Sequence, residues 1–238
     1  VLGNRVAVTD NAEIDASGTG DTNADGGRIM VGGDYQGKNP DIQNASVTYF
    51  GPNATLKADA TDNGDGGKVI VWADDTTRAY GNISVRGGAS GGDGGFVEVS
   101  GKRYLDFRAS VDRRAPFGNA GTLLLDPADL TIGNSPDNYG GATFSGGIFS
   151  GVDTAYGSYL SWGTIVGQLA TGNVAITTSG TGGSGDITLS DSVSYSRTTS
   201  LSLLAHRNIN ANNITIENVS NGAITLVAGW EDTSGTVS

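Results

Sequence analysis

One short pattern recurs along this chain and limits what it can become. It is Asp-Gly-Gly followed by a run of alternating apolar character. Asp25-Gly26-Gly27-Arg28-Ile29-Met30-Val31, Asp65-Gly66-Gly67-Lys68-Val69-Ile70-Val71-Trp72 and Asp93-Gly94-Gly95-Phe96-Val97-Glu98-Val99-Ser100-Gly101 are copies. Asn119-Ala120-Gly121-Thr122-Leu123-Leu124-Leu125-Asp126 is a degenerate one. Each is preceded by a second alternating piece, marked by Ile14, Leu56, Ile83 and Val111 at spacings of 42, 27 and 28 residues. Two or three short strands in a period of roughly 20–30 residues is the signature of a solenoid. No unit can bury its own apolar face, so neighbours must stack.

Alternation assigns the faces. Ile29 and Val31, Val69 and Val71, Val97 and Val99, and Leu123 and Leu125 point inward. Arg28, Lys68 and Glu98 point outward. Stacking at about 4.8 Å turns the inward positions into continuous aliphatic columns. In the turns, Gly accepts positive φ and Asp bonds the backbone two residues on. A stack of Asp25, Asp65 and Asp93 could instead hold Ca²⁺. Calcium-binding nonapeptides, however, need Gly-Gly-x-Gly-x-Asp in tandem. Gly182-Gly183-Ser184-Gly185-Asp186 is a single near miss with the wrong spacing. Turn chemistry is the reading taken, with no metal and no cofactor.

Composition narrows the class. Glycine is abundant (39 residues) without a three-residue period, which excludes collagen. With no cysteine, there is neither a disulfide scaffold nor a thiolate metal site. A net charge of −11 argues against nucleic acid as a partner. Residues 1–114 hold 12 Lys/Arg against 16 Asp/Glu, and residues 115–238 hold 2 against 9. No run of about 18 apolar residues is present to span a membrane. The start at Val1-Leu2-Gly3 carries no signal-peptide pattern, and the chain reads as a mature or excised piece of something longer.

The rest of the chain falls into order around the repeats. Residues 1–132 are β-helix coils with Asp-Gly-Gly turns. The stretch from Asp34 to Asn53 interrupts them, with a turn at Asn39-Pro40-Asp41 and one extra strand at Val47-Thr48-Tyr49-Phe50. The outward positions Met30, Ile70, Trp72, Phe96 and Leu124 form an apolar stripe, to be covered or left sticky. Cover by residues 133–172 is expected. That segment is rich in Gly, Ser and Tyr and bears the one credible helix, with Leu160, Ile165 and Leu169 on one face and Ser161 as its cap. Residues 173–238 return to coils, with strands at Val174–Thr177, Asp186–Leu189, Leu201–Leu204, Ile209–Ala211, Ile214–Ile216 and Ala223–Ala228. Asn208, Asn210, Asn212 and Asn213 cluster at turns and can form hydrogen-bonded ladders.

Several of these runs carry a family resemblance. Gly66-Gly67-Lys68-Val69-Ile70-Val71-Trp72-Ala73-Asp74 resembles a recurrent segment of large exoproteins. So do Gly81-Asn82-Ile83-Ser84-Val85-Arg86-Gly87-Gly88, the run Gly92–Gly101, and Gly121-Thr122-Leu123-Leu124-Leu125-Asp126-Pro127-Ala128-Asp129-Leu130-Thr131-Ile132. Gly172-Asn173-Val174 and Leu201–Ala211 fit the same pattern. Together they resemble the β-helical body of filamentous-haemagglutinin-like proteins, the passengers of two-partner secretion. The resemblance implies a right-handed parallel β-helix, export by an outer-membrane transporter of the two-partner type, and an adhesin or fibre at the bacterial cell surface. The family's N-terminal secretion domain is not recognisable, which makes this an internal segment.

The expected fold is therefore all-β: a right-handed parallel β-helix of roughly eight to nine coils with one short helix-bearing excursion. Chemistry is sparse. His206 is the only histidine, so no His pair or multi-His metal site can form. The densest cationic stretch is Lys102, Arg103, Tyr104, Arg108, Arg113 and Arg114, read as a solvated face or a contact patch for acidic glycans. Asn44, Asn53, Asn82, Asn213 and Asn218 open glycosylation sequons, which also arise by chance in so Asn-rich a chain. The leading function is a structural and adhesive rod that attaches to a host or environmental surface or glycan. Self-association into an extracellular filament is one alternative, and a glycan-active β-helix enzyme is another.

Overall fold

The Asp-Gly-Gly runs stack in register. In the computed structural model, which describes residues 1–19, 23–136, 143–145, 148–150 and 157–231, they form one parallel sheet. Its seven strands are Arg28–Val31, Lys68–Ala73, Phe96–Gly101, Thr122–Leu125, Asn173–Thr177, Leu201–Ala205 and Ile224–Ala228. Ile29 pairs with Val69, Val69 with Val97, Val97 with Leu123, and Leu123 with Val174. The column continues through Leu201 to Ile224. From Ile29 to Leu201 these side chains are buried. The second pieces stack likewise, with Ile14, Leu56, Ile83 and Val111 in one column of a four-stranded parallel sheet.

A third face completes each coil: Arg5–Val8, Val47–Phe50, Thr76–Ala79 and Tyr104–Phe107, again parallel. Val47–Phe50 is thus a regular member of this face rather than an extra strand. The true insertion is shorter, residues 34–46, and it contains the expected turn: the Ile42 amide donates to the Asn39 carbonyl at 3.2 Å. The architecture is a parallel β-helix with three faces.

Beyond Asp126 the coils change. Leu130–Gly133 pairs with Ile187–Leu189 on one side and with the later strand Ser158–Ser161 on the other. The chain thus doubles back and places Ser158–Ser161 next to Tyr104–Phe107, where the Leu105 amide donates to Ser158 Oγ at 2.9 Å. Between these strands, Thr143–Ser145 and Ile148–Ser150 pair antiparallel. The rest of the Gly/Ser/Tyr-rich excursion, at 137–142, 146–147 and 151–156, lies outside the described residues.

The helix runs from Trp162 to Gln168. Ser161 caps it as expected, accepting from the Thr164 amide at 3.0 Å. Trp162, Ile165 and Leu169 enter the interior core, whereas Leu160 belongs to the preceding strand instead of the helix face. The helix occupies the position of a strand in the second face. On one side Gln168 Nε2 donates to the Ala109 carbonyl (2.8 Å) and Thr171 Oγ1 to the Val111 carbonyl (2.6 Å). On the other, Arg197 Nε donates to the Val166 carbonyl (3.2 Å). The edge of Ser110–Asp112 is closed in this way, and the face resumes as the pair Val193–Tyr195 and Ile216–Asn218. The long sheet has seven strands, fewer than the expected coils, because the insertion, the doubled-back strand and the helix use chain without adding to it. Its length at sheet spacing is roughly 29 Å.

The turns work differently from their expected chemistry. Each Asp side chain reaches the next coil. Asp25 Oδ1 accepts from the Asp65 amide (2.8 Å), Asp65 Oδ1 from the Asp93 amide (2.7 Å), and Asp93 Oδ1 from the Asn119 amide (2.7 Å). A second ladder links Asp129 to the Asp186 amide (2.9 Å) and Asp186 to the Asn208 amide (3.2 Å). The paired glycines have negative φ; they are required by backbone proximity. A methyl on Gly94 would land on the Arg113 carbonyl and the Gly121 amide nitrogen.

Candidate functional site

The outward side of the long sheet is closed over. Ile70, Trp72, Glu98 and Leu124 are buried, although alternation points them away from the interior. The expected cover was residues 133–172. Over Trp72, Phe96 and Glu98 the cover is instead the insertion 34–46. Gly33 and Gly37 lie against the Trp72 indole, and Trp72 Nε1 donates to Asp74 Oδ1 at 3.0 Å. Tyr35 packs edge-on to Phe96 with ring centroids 5.8 Å apart, and Lys68 Nζ sits 4.5 Å from the Tyr35 centroid. Met30 and Phe96 are half-buried. The apolar stripe is therefore a second, outer core and not an adhesive surface. Sequence reasoning missed its key residue: Glu98 is fully buried and its carboxyl is pushed up to about 8 by loss of solvent.

The cationic stretch disperses. Arg113 is buried and does not belong to any surface patch: its guanidinium donates to the Val111 carbonyl (3.1 Å) and to the Gln168 carbonyl (2.7 Å). Burial lowers it to about 10. Arg103, Arg108 and Arg114 are exposed, and each pairs with an acid, Asp75 (3.0 Å), Asp106 (3.5 Å) and Asp112 (2.6 Å). Lys102 is half-buried.

Two surface features keep part of this set. The first is a tyrosine–arginine face on the third sheet. Tyr49, Arg78 and Asp106 share one outward column, although Arg78 and Asp106 are themselves buried. Tyr80 donates to Asp106, Arg108 lies 4.4 Å from the Tyr80 ring centroid, and Arg78 lies 5.9 Å from that of Tyr104. Burial and the Asp106 carboxylate push the Tyr80 phenol up to about 12, so it stays a proton donor at neutral pH. The second is a groove of about 1000 Å³ between the second and long faces. Arg86, Arg114, Asp62 and Asn119 line it, with the helix end at Ala170 and Thr171. Phe117 stands 74 % exposed in the rim loop between Pro116 and Gly118. Its exposure has no sequence signal beyond an aromatic residue among Pro, Gly and Asn.

Other candidates resolve simply. The stacked Asp carboxylates are occupied by amide donors, and among the described residues no group of three or more acidic, His or Cys side chains could hold a metal. His206 sits in the bend after Leu201–Ala205, its ring against Gly180. Of the sequon asparagines, Asn53, Asn82 and Asn213 are exposed, whereas Asn44 and Asn218 bond internal carbonyls. No helix among the described residues is long and apolar enough to cross a membrane.

The fold defines the class, a parallel β-helix. The sequence matches no protein-family model and no curated protein.

Proposed function

We propose that this chain is a rod segment of a secreted, filamentous-haemagglutinin-like bacterial surface exoprotein, exported through a two-partner outer-membrane transporter and used for attachment. The observation that carries the reading is the unbroken long sheet. It runs through all seven strands while the other two faces are interrupted by the helix and the doubled-back strand. Continuous coil-to-coil bonding gives a stiff scaffold, and the interruptions are where loops can be presented without breaking it. A chain without cysteine also suits export in an extended state. In this reading the attachment surface is the groove of Arg86 and Arg114 with Phe117 at its rim. Two half-exposed guanidiniums beside an exposed ring fit an acidic glycan. The test is adherence of chain-coated beads to immobilised sulfated glycan, with and without Arg86→Ala and Arg114→Ala. Loss of adherence in variants of unchanged circular dichroism supports the reading. Equal adherence in all of them removes the groove from it.

A second reading is end-to-end self-association. In the last described coil, Ile209 and Ile224 are only half-buried and Leu226 is 49 % exposed, although Ile187, Leu201 and Leu203, their partners in the coil before, are buried. Such residues call for one more coil against them, which a following segment of a longer protein or a second copy of this chain would supply. Electron microscopy across a concentration series decides this: short rods at every concentration would remove assembly as a function.

A further inference from the structure

We infer that the insertion 34–46 is a lid, latched to the long sheet through Glu98 and released when that carboxyl gives up its proton. The insertion is built to move as one piece. Its ends meet where the Ala45 amide donates to the Gly32 carbonyl at 2.6 Å. Inside it, the Gly37 amide donates to the Asp34 carbonyl (2.8 Å), Asn39 Nδ2 to Asp34 Oδ2 (2.8 Å) and Asn44 Nδ2 to the Gly37 carbonyl (3.0 Å). A compact loop with closed ends and its own internal bonds is the form that many functional surface loops take. Two of its ties to the coils lie near those ends: Asp34 pairs with Arg28, and Asn44 Nδ2 donates to Asp74 Oδ1 (3.1 Å). The middle is tied at Glu98, through the Gln36 amide. A cavity of about 350 Å³ undercuts the edge of the loop there, at Gln36, Gly37 and Lys38.

Glu98 is 0 % exposed. A neutral carboxyl is tolerated in such a place, whereas a carboxylate cut off from water is not. Lys68 on one neighbouring strand attracts the anion, and Asp126 after the other opposes it. Lys68 is itself engaged by the lid, its Nζ 4.5 Å from the Tyr35 ring centroid and 5.1 Å from that of Phe96, with Arg28 and Asp34 nearby. Lys38, Lys102 and His206 stand around the cavity at the edge of the lid. Beneath the carboxyl are strands bonded on both sides, and above it is the loop. Lifting the loop brings water to the anion while every coil-to-coil bond stays in place, so it is the cheapest local opening. It also relieves the left-handed backbone of Gln36 (φ 51°). The sign follows from the two states. With the lid lifted the carboxyl is ordinary, near 4.5, and with it closed the proton is kept to about 8. The open fraction is therefore smallest in acid, rises roughly tenfold per pH unit between those values and levels off above them. Opening uncovers Trp72 and Phe96, a gated apolar surface in place of a permanent one.

A chain without cysteine allows a direct test by thiol trapping. Ser100→Cys places a thiol on the outward face two residues from Glu98, and Val99→Cys places one in the interior of the same strand; both positions are 0 % exposed. Labelling of the full chain by iodoacetamide is followed at pH 6 and pH 8. Each rate is divided by that of the same variant unfolded in urea, which removes the titration of the thiol itself. At pH 8 the Ser100→Cys thiol is expected to react at least about tenfold faster than the Val99→Cys thiol, and at least about tenfold faster than it does at pH 6. Adding Glu98→Gln should abolish the gain with pH; Glu98→Met serves if that variant does not fold. Equal rates at the two positions would mean that the coils open together, and would overturn the lid. A Ser100→Cys rate indifferent to pH, or a gain that survives removal of the carboxyl, would overturn the latch.

Discussion

Both carboxylate oxygens of Glu98 accept from one donor, the backbone N–H of Gln36, at 3.2 and 3.1 Å. The two residues lie 62 positions apart in sequence. That contact pins the insertion 34–46 to the outside of the long sheet and seals an outer layer that alternation alone would leave in water. Gln36 itself adopts a left-handed backbone (φ 51°), so the amide is aimed at the carboxyl at some conformational cost.

Burial raises the Glu98 carboxyl from about 4.5 to about 8. The unfolded chain releases this proton near 4.5 and the folded chain keeps it. Folding stability from this group is therefore complete below pH 4.5 and is lost as pH rises towards 8. The loss should reach a few kcal/mol, on the order of one pKa unit per 1.4 kcal/mol. Urea melts at pH 5 and pH 8 should show it in the parent chain. In Glu98→Gln the dependence should flatten and stability at pH 8 should rise. A parent chain equally stable at both values would mean that the carboxyl is not sealed.

Much of the architecture was legible because alternation and spacing are local signals. Ile14, Leu56, Ile83 and Val111 were aligned from sequence and do pair in register. The inward columns of the long sheet follow the same rule. What failed were readings that depend on which segment lies over which. Arg113 reads as surface charge in a basic run, yet a helix more than 50 residues later covers it. Glu98 sits at an outward position, and nothing within its own repeat says that residues 34–46 return to it. Thr76–Ala79 was not recognised as a strand, since Thr-Thr-Arg-Ala carries little apolar alternation.

The turn glycines are required by space. In Gly66→Ala or Gly94→Ala the new methyl would strike the carbonyl and amide of adjacent coils, both backbone and unable to yield. Each substitution should cost about 3 kcal/mol or more, or prevent folding. Gly167→Ala is the control: it lies inside the helix with open space where the methyl would go, and should stabilise by about 0.5–1 kcal/mol. Thermal melts of the three variants decide it. A mild effect at Gly94 would show that the coils can separate locally.

The aspartate ladder should respond to loss of the acceptor and not to loss of charge. Asp65→Ala leaves the Asp93 amide without its partner and should cost about 1 kcal/mol, or roughly 2–4 °C in Tm. Asp65→Asn retains an acceptor oxygen and should cost less than half of that. Millimolar Ca²⁺ should leave the Tm of the parent chain unchanged, because the carboxylates already accept amide protons. A rise of several degrees with Ca²⁺ would restore the cation reading.

Arg113 and Arg114 are adjacent in sequence and should behave oppositely. Arg113→Ala removes a buried guanidinium that ties the Val111 and Gln168 carbonyls together, and leaves both acceptors with one donor fewer. A loss of about 3 kcal/mol is expected, with the helix end loosened from the second face. Arg114 pairs with Asp112 at the surface, its side chain 63 % exposed, and its removal should cost under about 1 kcal/mol. Of these two, Arg114→Ala can therefore report on binding at the groove, whereas a phenotype of Arg113→Ala reports on folding. Urea melts of both single variants, run beside the bead-adherence assay, separate the two. Equal stability of the pair would contradict the buried role of Arg113.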